Sequence, residues 1–387
     1  MKNKKRIKIA FCVIIVLGLF WVGLPTYLRQ ALMHWNPDIT DAKIFSSHVV
    51  AKAEQGWDFP IADNFNQDTM SVEEEAYLKK YGTVAYLVIQ RDSVLYEEYR
   101  EGWNAKKLVN VFSVTKSIVG LLIGIAHDEG VIENLDDRVS KYLPEFQEGE
   151  KITVRNLLTM SSGLNWEESY SSPFSTTAQA YYGDNIRELI MKLKVVEEPG
   201  KRYDYKSGDT QLLSFVLEAA LQKKYPNGEN ITISEYATRK LWQPIEASEN
   251  ALWSLDRKGG DEKTYCCFNT TARDIARLGR LILRKGDWNG RQIISESYLQ
   301  EAITPASYLE NEFGDAPLNY YGFQIWNIHY KGLQFPAFKG LGGQYIFMIP
   351  QKEAIVVRLG HERSDKYIRE NTVDMGGYLD IAFRILK

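Results

Sequence analysis

Cysteine and histidine are scarce in this chain, at three and five among 387 residues. Cys12 lies inside an apolar run, and Cys266 and Cys267 are adjacent. Neighbouring cysteines seldom pair, so the sequence predicts a domain without disulfides. Neither C-x-x-C nor H-E-x-x-H occurs, and the histidines at 34, 48, 127, 329 and 361 are scattered. No metal site and no cofactor are expected. Charge of one sign is missing as well. The net charge is -3, and no basic stripe stands out beyond the first eight residues, which argues against a nucleic-acid partner. There is no Gly-x-Ser-x-Gly pentapeptide, so a histidine-dependent α/β-hydrolase with that nucleophile turn is excluded. No internal repeat or low-complexity tract appears.

What is present begins at the amino terminus. "MKNKKRIK" is strongly basic, and Ile9 to Leu24 follow without a charge. Counted through Leu28, the stretch is about twenty residues, the length that spans a bilayer. A positive flank before it puts the amino terminus in the cytoplasm and the rest outside. Leu24-Pro25-Thr26-Tyr27 makes a poor cleavage site, so an uncleaved signal anchor is expected rather than a removed signal peptide. Cys12 follows Phe11 inside the run, which speaks against lipid attachment. The expected organisation is a membrane segment over 1–28, an irregular arm over 29–75 and a large globular domain over 76–387. An external domain free of disulfides fits a bacterial periplasm or outer face.

The arm contains "NPDIT", "GWDFP" and "NFNQD", all turn-rich, and a short helix is expected near "SVEEEAYLKKYG". From Thr83, two β-rich runs flank a turn near Arg91-Asp92, a hairpin pattern. Short helices and turns follow in "ENLDDRVSKYLPEF" and "ITVRNLLTMSSG". "TQLLSFVLEAALQKKY" and "SEYATRKLWQPI" read as helical. "TARDIARLGRLILRKGDW" is amphipathic, with Ile275, Leu278 and Ile282 on one face. Near the end "LNYYGFQIW", "GGQYIFMIP" and "EAIVVRLG" are strand candidates, and a helix closes the chain over roughly 371–387. Strands at both ends with helices between predict an α+β fold: one antiparallel sheet built from distant segments, plus a helical lobe.

The chemistry lies in "NVFSVTKSIVGLLIGIAHDEG". Ser113 and Lys116 stand one turn apart at the start of an apolar helix. Residues three apart share a helix face. Free N–H groups at a helix start suit a developing oxyanion. Burial beside Ile118, Leu121, Leu122 and Ile125 would lower the lysine pKa, and a neutral amine next to a hydroxyl is a general base for a serine nucleophile. Ser-x-x-Lys alone is weak, since roughly one or two copies arise by chance at this length. The alternative is a capping serine with a snorkelling lysine. A second proton-handling candidate is Tyr205 in "PGKRYDYKSGDTQLLSFVLEAA", where Tyr205-x-Ser207 follows a Pro-Gly turn and leads into a helix. Tyr170-Ser171-Ser172 and Tyr225-Pro226-Asn227 share the spacing without that context. In "KGLGGQYIFMIP", the glycines at 340, 342 and 343 open a strand whose edge could approach substrate closely and offer a second oxyanion N–H.

The order Ser-x-x-Lys, Tyr-x-Ser and a glycine-opened strand resembles the serine β-lactamase and D-alanyl-D-alanine peptidase superfamily, in its class C-like branch. "FSVTKS", "LLTMSSGLNW", "PGKRYDYKSGDTQLL", "TARDIARLGRLIL" and "YYGFQIW" carry the likeness over about residues 75–387. It is most similar to the 6-aminohexanoate-dimer hydrolase type. The resemblance implies that Ser113 is acylated, that Lys116 shares its proton and that Tyr205 acts as base and acid. It puts Ser207 beside the substrate and Tyr170 on the substrate amide. It leaves the second oxyanion donor open among Gly340, Leu341 and Gly342. Lys-Thr-Gly and His-x-Gly are absent, although Lys339 is close, which tells against efficient β-lactam turnover. The expected activity is amide or ester hydrolysis of a small molecule or short peptide. A β-lactamase or cell-wall D,D-peptidase (penicillin-binding protein) is the runner-up, and a catalytically idle scaffold of this fold is the non-enzyme alternative.

Overall fold

The computed structural model describes residues 2–170, 172–225 and 231–386. Two helices open the chain, α1 (Lys2–Gly23) and α2 (Thr26–His34). Pro25 separates them, because the residue before a proline is driven out of the helical region. The part of α1 from Ile9 meets α2 at 111°. Among the described residues no single helix is long and apolar enough to cross a membrane, while this bent pair together has the length and composition. The arm is more regular than its turn-rich sequence suggests, since it contains α2 and the strand Ser47–Val50. Helix α3 (Val72–Lys80) falls where expected, started by a capping box between Ser71 and Glu74.

Strands β1 (Thr83–Gln90) and β2 (Ser93–Tyr99) form the hairpin, turning on Arg91 and Asp92, both with positive φ. The lobe follows with α4 (Val114–Asp128), α5 (Thr176–Tyr182), α6 (Ser207–Lys224) and the amphipathic α7 (Ala272–Leu283). Strands β3 (Trp326–Tyr330), β4 (Leu333–Gly340), β5 (Gln344–Ile349) and β6 (Ala354–Gly360) return to the sheet, and α8 (Asp374–Ile385) closes the chain. The sheet order is β2-β1-β6-β5-β4-β3, antiparallel throughout, so β1 pairs with β6 across most of the sequence. Every residue of β1, β5 and β6 is buried. One face packs α3 and α8 through Leu78, Tyr86, Tyr345 and Tyr378; the other packs α4 and α7 through Ile118, Leu122, Ile275 and Leu278. These strands therefore read as unbroken apolar runs rather than alternating ones.

Three expectations change. The segment "LNYYGFQIW" is not a strand until Trp326: Gln324 has φ +57°, and Tyr320 and Tyr321 turn into an aromatic cluster with Tyr203. The strand Leu333–Gly340 hides behind Pro336, which sits where β4 pairs with β3 alone, and pairing with β5 begins at Ala337. Finally, Cys266 and Cys267 do form a disulfide. Cys267 adopts φ +73°, which turns the chain so that the two sulfurs meet.

The expected single sheet is also corrected: a second, four-stranded sheet, built from short segments far apart in sequence, ties the arm to the lobe. Ser47–Val50 pairs with Ala251–Ser254, then Phe268–Thr270, then Val109–Asn110. That last strand leads into α4.

Candidate active site

Asn110 begins the site. It is buried, and its side-chain oxygen accepts the Phe112 N–H at 3.0 Å. The Val111 N–H donates to Phe268 O at 2.9 Å. Between them the chain turns sharply, with Phe112 at φ +47°, and Ser113 emerges at the amino end of α4. The Ser113 side chain makes no capping hydrogen bond. Instead it accepts from Lys116 Nζ at 3.0 Å. This disposes of the capping-serine alternative.

Lys116 is buried, and its amine also donates to Tyr265 O at 2.7 Å. Burial lowers its pKa to about 8, against an opposing pull from the Glu168 carboxylate. Burial pushes the Tyr205 phenol far up, and Glu168 adds to that; a hydrogen-bonding interaction with Ser113 pulls the other way. The Tyr205 ring packs against Trp326 and Tyr321, and Lys116 Nζ lies 5.0 Å from its centroid. Of the two groups, Lys116 is therefore the one that can accept a proton near neutral pH in the resting site, with Tyr205 a neutral partner.

Glu168 escaped the reading of the sequence. It looks like one more charge in "NWEESY", yet it sits at the start of α6. It accepts the Ser207 N–H at 2.7 Å, the Ser207 hydroxyl at 2.8 Å and the Trp166 indole N–H at 2.7 Å. A carboxylate there is favoured by the unpaired amides of the first helical turn. Ser207 thus spends both its donors on Glu168 and does not offer them to a substrate. The Tyr170 hydroxyl also donates to Glu168, while its side chain stays 47% exposed at the mouth of the site.

The glycines lie where β4 ends, and Gly340 and Leu341 line a cavity together with Ser113. A Cβ on Gly340 would stand 2.3 Å from Val111 O, so that glycine serves the close approach of two backbones, and it also lines the more charged of the two cavities that meet at Ser113. Gly342 and Gly343, at φ +70° and +80°, make the turn, and Arg358 binds both of their carbonyls at 2.7 and 2.8 Å. Gly342 lines neither of the two cavities that meet at Ser113, whereas Leu341 lines both.

The first cavity, ≈ 920 Å³ with its open mouth, is mostly apolar and includes Phe112, Tyr181 and Tyr182. The second, ≈ 830 Å³, holds Tyr205 with Glu312, Lys339, Arg363 and Glu370. Lys339 is less free than its position suggests. Its amine lies 3.7 Å from the Trp326 ring centroid, donates to Glu370 O and Asn371 Oδ1, and is lowered by burial to about 7. Among the described residues no group of three or more His, Cys, Asp or Glu side chains is placed to hold a metal ion.

Comparison with known proteins follows the same lines. The sequence profile of the beta-lactamase family matches residues 73–372. The 6-aminohexanoate-dimer hydrolase of Paenarthrobacter ureafaciens is 26% identical over 307 residues, covering 74% of each chain. A solved structure from Bacillus anthracis, assigned to the same hydrolase type, superposes with a TM-score of 0.75 at 22% identity over 93% of this chain and 96% of that one. A family VIII carboxylesterase shares the fold with a TM-score of 0.63 at 17% identity, over 84% and 99%.

Proposed function

Because the chain belongs to the beta-lactamase family and is related to the 6-aminohexanoate-dimer hydrolase, we propose that it is a serine hydrolase that cleaves an amide or ester through an acyl-enzyme on Ser113. The observation that carries this reading is the 3.0 Å contact from a buried lysine amine, with a pKa near 8, to a serine hydroxyl at a helix start.

In the proposed reaction neutral Lys116 takes the Ser113 proton as Oγ attacks the carbonyl carbon. The tetrahedral oxyanion is held by the Ser113 N–H and by the N–H of Leu341 across the crevice. The proton passes by way of Tyr205 to the leaving nitrogen or oxygen, and the acyl-serine ester remains. Water then attacks that ester with its proton drawn to the same Tyr205–Lys116 pair, releasing the acid and restoring Ser113. Tyr170 and Ser207 act on this account through Glu168: Tyr170 borders the substrate, and Ser207 anchors the carboxylate. Gly340 and Gly342 shape the strand end that presents Leu341.

We further propose that the amino-terminal segment around α1 holds the protein at a membrane with the hydrolase on the outer side, although α1 by itself is not long and apolar enough to span one and α2 is packed on the lobe. The basic start of α1 and the exposed Ile9, Phe11, Ile14, Leu19 and Phe20 support that placement. β-Lactamase or D,D-peptidase activity is disfavoured, because the Lys339 amine is already committed to Glu370 and Asn371.

The test is mass spectrometry of the full chain after treatment with a fluorophosphonate, beside Ser113→Ala. A label on Ser113 that the variant lacks is expected, followed by turnover of simple esters and amides above that of nitrocefin. An intact wild-type chain that takes no label and turns over no ester or amide would sink the proposal in favour of an idle scaffold.

A further inference from the structure

The apolar cavity at Ser113 is not built by the hydrolase lobe alone. Ala31 and Leu32 of α2 line it, with Trp35 just beyond; Ala178, Tyr181 and Tyr182 of α5, the helix on which α2 packs, line it as well. The arm is bound firmly in place. Leu28 and Ala31 are buried, and the His34 ring stacks on Tyr182 at 6.2 Å. Asp41 accepts the Tyr181 hydroxyl at 2.7 Å, and Ile39 O accepts the Asn110 N–H at 2.9 Å, three residues before the nucleophile.

Trp35 is the odd member of this lining. It has φ +60° and ψ -73°, and the Asn36 N–H reaches His34 O at 2.8 Å across it, a γ-turn of the rare positive-φ kind. Its side chain is 74% exposed, so packing does not repay the strain. A bulky residue held in such a conformation at a cavity mouth points to a use there.

Given the serine-hydrolase reading, the two cavities divide the substrate. Tyr205, the proposed proton donor to the leaving group, lines only the charged cavity. The leaving group belongs there, and the acyl group belongs in the apolar cavity. We propose that α2 and Trp35 form part of the acyl-chain wall of the active site, so that the enzyme selects esters or amides with an extended apolar acyl chain over short ones.

The experiment uses the full chain in dioleoylphosphatidylcholine vesicles and compares p-nitrophenyl octanoate with p-nitrophenyl acetate. The readout is the ratio of their kcat/KM values. Trp35→Gly removes the ring and suits the turn better than tryptophan does, and Ala178→Trp fills the cavity from α5. Both are expected to lower the octanoate-to-acetate ratio by about tenfold or more. If the ratio stays within twofold of wild type in both variants, the proposal is overturned and Trp35 is a structural residue, whatever its effect on Tm. A second readout needs no catalysis. 1-Octanol should raise the Tm of Ser113→Ala and fail to raise that of the Ser113→Ala, Ala178→Trp double variant. Absence of that shift in Ser113→Ala overturns the acyl-chain wall. Its presence in a chain that turns over neither ester sustains the wall and refutes the hydrolase reading instead.

Discussion

Lys116 faces two opposed influences at once. Burial favours its neutral amine, and Glu168 favours its ammonium. The balance near pH 8 sets how much base is present, so kcat/KM for an uncharged ester should rise as pH passes through about 8. Removing the carboxylate charge with Glu168→Gln removes the pull toward the ammonium, and the rising limb should move to lower pH. A purely structural glutamate would lower activity without moving the limb, and pH–rate profiles of the two proteins separate these cases. Lys116→Met should abolish the limb along with nearly all turnover. The Ser113–Lys116 pair was legible because its spacing is local and its helix is apolar. Glu168 was not, because its meaning comes from Ser207, whose backbone and hydroxyl meet it only after the chain has returned from 39 residues away.

At the scale of elements, the proposed nucleophile Ser113 depends on three short pieces meeting: the strand Val109–Asn110, the start of α4 and the end of β4. Gly340 is where the third meets Val111, the residue just past the first. Gly340→Ala would put a methyl group 2.3 Å from Val111 O, a backbone atom that cannot rotate away. The strand must shift, at about 1–3 kcal/mol, and Leu341 shifts with it. Calorimetry should find a lowered Tm, and kcat should fall more than KM changes, because Leu341 is the proposed second oxyanion donor. A pocket glycine with room to spare would show neither. The hairpin of β1 and β2 and the helix α7 were readable from period and turn residues alone. Strand β4 was not, because Pro336 and Lys339 break its apolar pattern, and the pairing that tolerates Pro336 involves only β3. The Cys266–Cys267 bond was equally hidden, since it needs the positive φ of Cys267, which no pattern of side chains announces.

The whole molecule carries more buried lysine than the proposed catalysis uses. Lys263 is fully buried, donates to Tyr181 O and lies 3.5 Å from the Phe45 ring centroid. Burial lowers it to about 7, as it does Lys339, with Lys116 at about 8. In the unfolded chain all three titrate near the ordinary lysine value of about 10.4. Between roughly pH 7 and pH 10 the unfolded state therefore binds more protons than the folded one, and stability rises with pH across that window. Each lysine contributes on the order of 1 kcal/mol per pH unit there. The gain ends above about pH 10, where the buried tyrosines, raised by burial, act with the reverse sign: the unfolded phenols lose protons that Tyr205 and Tyr236 keep, so stability falls as pH rises further. Below pH 7, Asp209, raised to about 7 by burial, also acts in the reverse direction. Urea unfolding at pH 7, 8 and 9 should show the midpoint climbing at each step. Lys263→Met, which removes one of the three titrations far from Ser113's proton path, should flatten that climb by about a third while the wild-type pH–rate limb near 8 stays where it is. A midpoint that falls from pH 7 to 9 would mean that these amines stay protonated in the fold, and the neutral Lys116 on which the proposed acylation depends would go with them.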